Sequence, residues 1–274
     1  MVGVTKNSVT SIRNKSYWNY NNLNPKDPVA LNLFTQKDLI MALEKISGLK
    51  RIRYTPSHPM EFTDDLIEAY AELPKLVSHL HLPVQSSSNA VLKAMKRGHT
   101  IEVYKDKIAR LREIRPSISM SSDFIVGFPG ESQSDIIDTI ELVKNVGYAQ
   151  SYSFKYSSRP GTPASVLESQ VPENIKKTRL SELQNLLSSQ QRQFNSQFLD
   201  KEIEVLIEKY GERNSQVMGR SEHMQAVYMD KSLGTIGDIK KVKISEHCIF
   251  GSGSVILPGS IISTGVAVGA LSLI

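Results

Sequence analysis

Between Arg51 and Tyr156, short apolar runs alternate with segments of helical period, and this alternation limits the possible folds more than any other feature. The runs predict strands at Arg51–Thr55, Leu76–Pro83, Ser119–Val126 and Ala149–Tyr156. Between them the spacing predicts helices from Thr63, over Ser88–Met95, over the basic amphipathic stretch Ile101–Arg115, and over Ser134–Val146. A parallel connection must cross a sheet face, and a helix makes that crossing compactly, so the pattern reads as parallel βα units. About four units are too few to close an eightfold barrel, which leaves an open or half (β/α) barrel in an α/β chain.

The flanks differ from this core. Residues 1–35 are rich in Asn, Ser and Lys without a sustained period, and read as irregular chain. A helix is expected over Thr35–Ile46, with Thr35 as N-cap and Asp38 completing a capping box. Pro172 opens a long helix through Phe198 whose leucines share one side, which suits a connector. From Lys201 the alternation has period two, and short runs at Gln216–Gly219, Gln225–Met229 and Asp238–Ile244 predict a small antiparallel β-barrel. The expected divisions are therefore 1–35, a partial barrel over 36–171, a connector over 172–199, a β-barrel over 200–256 and an uncharged tail over 257–274. No charged residue falls between Cys248 and Ile274, but repeated Gly and Ser with Pro258 argue against a membrane span. The start lacks the apolar core of a secretory signal, so a cytoplasmic location is expected. The formal charge of +5 is compatible with a polyanionic partner without requiring one.

Few residues stand out as chemistry. His79 and His81 lie two apart on one strand and face the same way; they could pair on a metal, but no Cys, Asp or Glu stands nearby at ligand spacing, and local hydrogen bonding is the plainer reading. His58 before Pro59 reads as a turn residue, and His99 as a loop residue ahead of a helix. No Ser is bracketed as a nucleophile elbow, which disfavours a serine hydrolase. The run Ser121 to Glu131 says more, since it delivers a glycine-rich turn to the C-terminal rim of a parallel sheet, where such folds bind ligands. Asp123 could aim a carboxylate into the sheet interior. A plain strand-to-helix turn would account for the same residues.

Four stretches in order, RIRYTPSHPMEFTDD, LHLPVQSSSNAVLKAMKRGHT, SSDFIVGFPGES and SYSFKYSSRPGTPA, resemble the second half of the catalytic core of the MiaB-type radical S-adenosylmethionine tRNA methylthiotransferases. The segments GRSEHMQAVYM and IGDIKKVKI are similar to the TRAM RNA-binding module of that family, and the likeness spans roughly residues 38 to 256. The resemblance implies S-adenosylmethionine and two 4Fe-4S clusters as cofactors, and a tRNA anticodon stem-loop as partner. One cluster would sit on a C-x-x-x-C-x-x-C loop and the other on three cysteines of an N-terminal domain. This sequence has a single cysteine, Cys248, which matches none of them, so no metal ligand and no catalytic residue is assigned. The resemblance places Gln85, Ser86, Asp123, Gly127, Pro129 and Glu131 on the cofactor side, and Arg159, Gly161 and Thr162 in the R-P-G-T-P turn on the substrate side. Ser87 stands where the family pattern has glycine, and a positive φ there would strain the loop. Lys105, Lys107, Arg110, Arg112 and Arg115 read as a solvated helix face, with tRNA contact as the alternative. Two functional readings follow: a truncated methylthiotransferase sequence that is inactive unless a separate polypeptide supplies the cysteines, or a non-catalytic RNA-binding remnant.

Overall fold

The computed structural model describes residues 35–244, apart from Ser57 and residues 212–214, together with two N-terminal strands, β1 (Gly3–Thr5) and β2 (Ser8–Ile12). Irregular chain was expected in that N-terminal segment. A strand of three to five residues has too short a period to register in sequence, and the partner that fixes β2 lies some forty residues away on β3 (Arg51–Tyr54), to which it runs parallel. Cys248 and the uncharged tail fall outside the described residues.

Helix α1 (Gln36–Glu44) precedes β3 and carries the expected capping box, the Thr35 side chain accepting from Asp38 N while Asp38 accepts from Thr35 N. After a 3-10 turn at Pro59–Glu61 come α2 (Asp64–Glu72), β4 (His79–His81), α3 (Asn89–Ala94), α4 (Ile101–Ile114), β5 (Ser119–Val126), α5 (Gln133–Val146) and β6 (Gln150–Lys155). Strand β5 pairs in parallel with β4 on one side and β6 on the other, and an Ile52–Leu76 bridge joins this sheet to β3. The result is a parallel half-barrel wall. Strand β4 is shorter than its apolar run because only its middle enters the ladder; Leu76 and Gln85 pair as isolated bridges at either end.

Alternation along β5 decides the two faces. Met120, Phe124 and Val126 point to the helices and are at most 1% exposed, whereas Ser121, Asp123 and Ile125 point to the concave side. The core is completed by Leu66 and Tyr70 of α2, Tyr104, Ile108 and Leu111 of α4, and Ile136, Leu142 and Val143 of α5. Helix α6 (Glu173–Ser196) enters this same core through Leu183 and Leu187, so it is part of the α/β body as well as a connector.

The basic side chains of α4 divide: Lys105 is exposed, as on a solvated face, while three others turn to backbone carbonyls. Arg115 donates to the carbonyls of Tyr70, Leu73 and Leu76, Arg112 to that of Val146, and the buried Lys107 to that of Phe62. Arg110 pairs with Asp64 at 2.8 Å. Arg112 and Arg115 satisfy carbonyls at or just beyond the C-terminal ends of α5 and α2, which a helix leaves without internal partners.

Beyond α6, strands β7 (Glu202–Tyr210), β8 (Gln216–Arg220), β9 (Ala226–Asp230) and β10 (Ile239–Lys243) form an antiparallel sheet in the order β10-β7-β8-β9. This is the small antiparallel barrel-like module expected, in the form of a curled half-barrel, since among the described residues β9 and β10 do not pair. Gly219 lets β8 lie tight on β7, since a Cβ there would meet Leu206 O at 2.4 Å. The sheet docks on the N-terminal ends of the parallel strands through polar contacts. Arg51 donates to the carbonyls of Arg220 and Glu204, each at 2.9 Å, and Arg53 pairs with Glu208. His223 Nδ1 donates to Ser78 O at 2.9 Å, and its ring packs against Phe194 and Phe198.

Candidate functional site

The C-terminal rim of β4, β5 and β6 opens into a cleft of about 950 Å³. Its floor is the concave face of the half-barrel, where Asp123 and Ile125 of β5 lie beside Phe154 of β6. One wall comes from the loop after β4 and the turn after α3, with Gln85, Lys96 and Arg97. The opposite wall comes from the segment after β6, with Tyr156, Arg159 and Thr162.

Gln85 sits in the left-handed region at φ 74°, which costs a residue with a Cβ of order 1–3 kcal/mol and marks the loop as held by its surroundings. What holds it is visible: its N–H donates to Asp123 O and its carbonyl accepts from Ile125 N, both at 2.9 Å. The strain expected at Ser87 is therefore found two residues earlier. Ser87 is outside the left-handed region, and its N–H donates to Thr139 Oγ1.

The Gly127–Glu131 turn works behind the cleft. Gly127 has φ 72°, and a Cβ on it would stand 2.4 Å from Lys176 Cγ of α6, so both conformation and packing demand glycine. Its N–H donates to Glu131 Oε1 at 2.8 Å, and the same oxygen accepts from Arg179 of α6 at 2.7 Å. Burial pushes the Glu131 carboxyl upward, against the opposing pull of Gly127 N–H and Arg179. Pro129 and Ser86 are buried as well, and Ser86 Oγ accepts from Ser88 N. Ser86, Gly127, Pro129 and Glu131 thus do not line the cleft; they fix the loops that do. At the other wall, Thr162 N–H and Oγ1 both donate to Arg159 O, closing a turn that needs Gly161 at φ 81°.

Of the nine sequence-selected positions, the structure brings Gln85, Asp123, Arg159 and Thr162 together around one space. Phe128, Phe154 and Tyr156 join them and were missed, because aromatic residues near a strand end read as core. His81 Nε2 lies 3.5 Å from Asp123 Oδ2, and His81 Nδ1 is 2.9 Å from Ser121 Oγ. His79 contacts Ser119 Oγ through Nδ1 and Ser121 Oγ through Nε2, and burial holds it down at about 3. The two histidines are engaged with hydroxyls, as the plainer reading had it. His58 Nδ1 accepts from Met60 N within its turn. Among the described residues, no group of three His, Cys, Asp or Glu is placed to hold a metal ion, and no helix is long and apolar enough to cross a membrane.

Comparison with known proteins gives three family matches: the radical SAM superfamily over residues 29–143, the TRAM domain over 198–247, and the transcriptional cell cycle regulator TrcR over 1–48. A tRNA-2-methylthio-N(6)-dimethylallyladenosine synthase of Rickettsia conorii is 48% identical over 237 residues, 85% of this chain and 53% of its own length. The chain is a homologue of these synthases, with a radical SAM segment followed by a TRAM domain. The Zymomonas mobilis synthase is 49% identical over 208 residues, 76% of this chain and 46% of its own length. The chain spans about half the length of the curated relatives it matches. A solved radical S-adenosylmethionine methyltransferase, TsrM from Kitasatospora setae, aligns at a TM-score of 0.39 and 14% identity, covering 47% of this chain and 26% of its own. The radical SAM match holds Gln85 and Asp123 of the cleft, and the TRAM match holds the whole four-stranded sheet.

Proposed function

We propose that this chain is the barrel and TRAM portion of a tRNA methylthiotransferase, the activity that places a methylthio group on an isopentenyl-type adenosine beside the anticodon. The observation that carries the reading is the meeting of the two expected residue sets, Gln85 and Asp123 with Arg159 and Thr162, around one rim cleft. S-adenosylmethionine suits that cleft chemically. The Asp123 carboxylate can take its ammonium or ribose hydroxyls, and the faces of Phe154 and Tyr156 can take its adenine or sulfonium. When bound it would supply the methyl group. The chain's own part is to orient it, through a Gln85 loop fixed by Asp123 and Ile125 backbone and a Gly127 turn fixed by Glu131 and Arg179.

The iron-sulfur clusters do not fit these residues. The described residues contain no cysteine, the whole sequence has only Cys248, and a 4Fe-4S cluster needs several thiolates. No step through a cluster is assigned to the chain, and alone it is expected to be inactive. Neither the comparisons nor the fold supports a separate polypeptide that would bring the cysteines. A cytoplasmic place and tRNA as partner follow from the same reading, with Lys240, Lys241 and Lys243 of β10 presenting cations on the TRAM sheet.

Calorimetric titration with S-adenosylhomocysteine tests the cleft: binding is expected, with at least tenfold loss in Asp123→Ala. Absence of binding would leave the second reading, an RNA-binding remnant without catalysis. Anticodon stem-loop RNA is expected to bind in either case, with a steep salt dependence that lessens when the three β10 lysines are changed to Glu.

A further inference from the structure

A second cavity, of about 210 Å³, lies at the other end of the concave face, between β3–β6 and the turn after β8. Arg53, His79, His81, Gln150, Tyr152 and Arg220 belong to its polar wall, and among the described residues no carboxylate lines it. Arg53 is 5% exposed, yet among the described residues its Nε and Nη2 have no hydrogen-bond partner. Its Nη1 alone is engaged, by Glu208, which also stands 3.5 Å from Arg220 Nε. One carboxylate thus serves two guanidiniums, and a buried fork with idle donors is costly unless something supplies acceptors. The groups facing His79 are Ser119, Ser121, His81, His223, Arg53 and Arg220, all neutral or positive. Burial first, and after it the neighbouring histidines and arginines, hold His79 at about 3. Tyr152 at the mouth is 50% exposed, and two residues along the same face Phe154, 56% exposed, lines the rim cleft.

We propose that this cavity is a phosphate subsite for RNA, in which a backbone phosphodiester sits against Arg220, with the buried charge of Arg53 behind it, while the neighbouring base stacks on Tyr152. The subsite rests on the reading of the chain as an RNA-binding protein. Guanidinium forks match phosphate oxygens in pairs, and exposed aromatic faces take unstacked bases of any sequence. Tyr152 and Phe154, about 6.7 Å apart along the strand, make a stepped path from this cavity to the rim cleft. The subsite would hold the strand one step from the base presented there.

The full chain is tested by fluorescence anisotropy with a labelled anticodon stem-loop RNA over a salt series, comparing the unaltered protein with Arg220→Gln, Tyr152→Ala and Tyr152→Phe, each shown folded by circular dichroism. Arg220→Gln is expected to weaken binding about tenfold and to flatten the log K against log salt slope by ~0.7–0.9, one phosphate contact. Tyr152→Ala is expected to weaken binding several-fold with the slope unchanged, and Tyr152→Phe to restore it. In parallel, inorganic phosphate is titrated against protein carrying ¹⁵N-histidine, where the His79 titration midpoint is expected to rise, but not in Arg220→Gln. RNA binding that is the same in all four proteins, slope included, overturns the subsite and leaves the RNA reading intact. If the unaltered chain binds no RNA, the functional reading fails and the subsite fails with it.

Discussion

The α/β body and the TRAM sheet are held together by different physics. The body buries a continuous apolar cluster that runs from Ile40 through the strands to Leu187, and it draws α6 into that cluster. The sheet's own core is Val205, Ile207, Val217, Val227, Met229, Val242 and Ile244, too few to stabilise it generously alone. Its attachment to the body is polar, through Arg51, Arg53, Glu208 and His223. Apolar packing fixes the rim cleft, whereas charged groups that need exact partners fix the junction; the second arrangement is the more easily disturbed by pH, salt or a bound anion.

The sharpest break of the body itself is at the buried ion pair between Glu131 and Arg179. Arg179→Met leaves Glu131 inside the protein with only Gly127 N–H as partner, and breaking a buried pair costs about 3–5 kcal/mol. Urea unfolding is expected to show that loss, and Glu131→Gln combined with Arg179→Met to recover part of it. A loss under about 1 kcal/mol would mean that the Gly127 turn is held by packing against Lys176 instead.

That pair also marks the limit of what the sequence discloses. The capping box at Thr35, strand β5 and its glycine turn were legible because each is local: a period, a cap or a turn of a few residues. The Glu131–Arg179 contact joins positions 48 apart, and nothing in either neighbourhood announces it. For the same reason Glu131 read as a cofactor residue, although its carboxylate faces α6 and not the cleft. Positive φ was anticipated at Ser87 from a pattern, but the pairing of Gln85 between Asp123 and Ile125 places it two residues earlier, on a glutamine that does not advertise it. Absence was the plainest signal of all, since a single cysteine can be counted without any structure.

The junction is expected to yield next. Arg51→Met removes hydrogen bonds to Arg220 O and Glu204 O, charge-assisted contacts that contribute about 1.5–3 kcal/mol each, less what water restores. Thermal unfolding followed by calorimetry should then separate into two transitions, with the TRAM sheet melting first. A single transition shifted down as a whole would show that the sheet and body remain one cooperative unit despite their polar seam.

The smallest effect separates the two regions by pH. His79 is neutral in the folded protein down to about 3, while in the unfolded chain it takes a proton near 6.5. Between those values the unfolded state binds one more proton than the folded state, so stability is present above about pH 6.5 and falls as pH drops, by about 1.4 kcal/mol per unit from this group. His79→Asn keeps a polar side chain between Ser119 and Ser121 and removes the titration. Its stability curve is expected to be flatter by about that slope between pH 6 and pH 4, whatever its offset at neutral pH. His99, pushed down to about 4 chiefly by burial, stays in the body and contributes its own fall in both proteins. If the two curves run parallel, protonation of His79 is being met by a partner that rearranges.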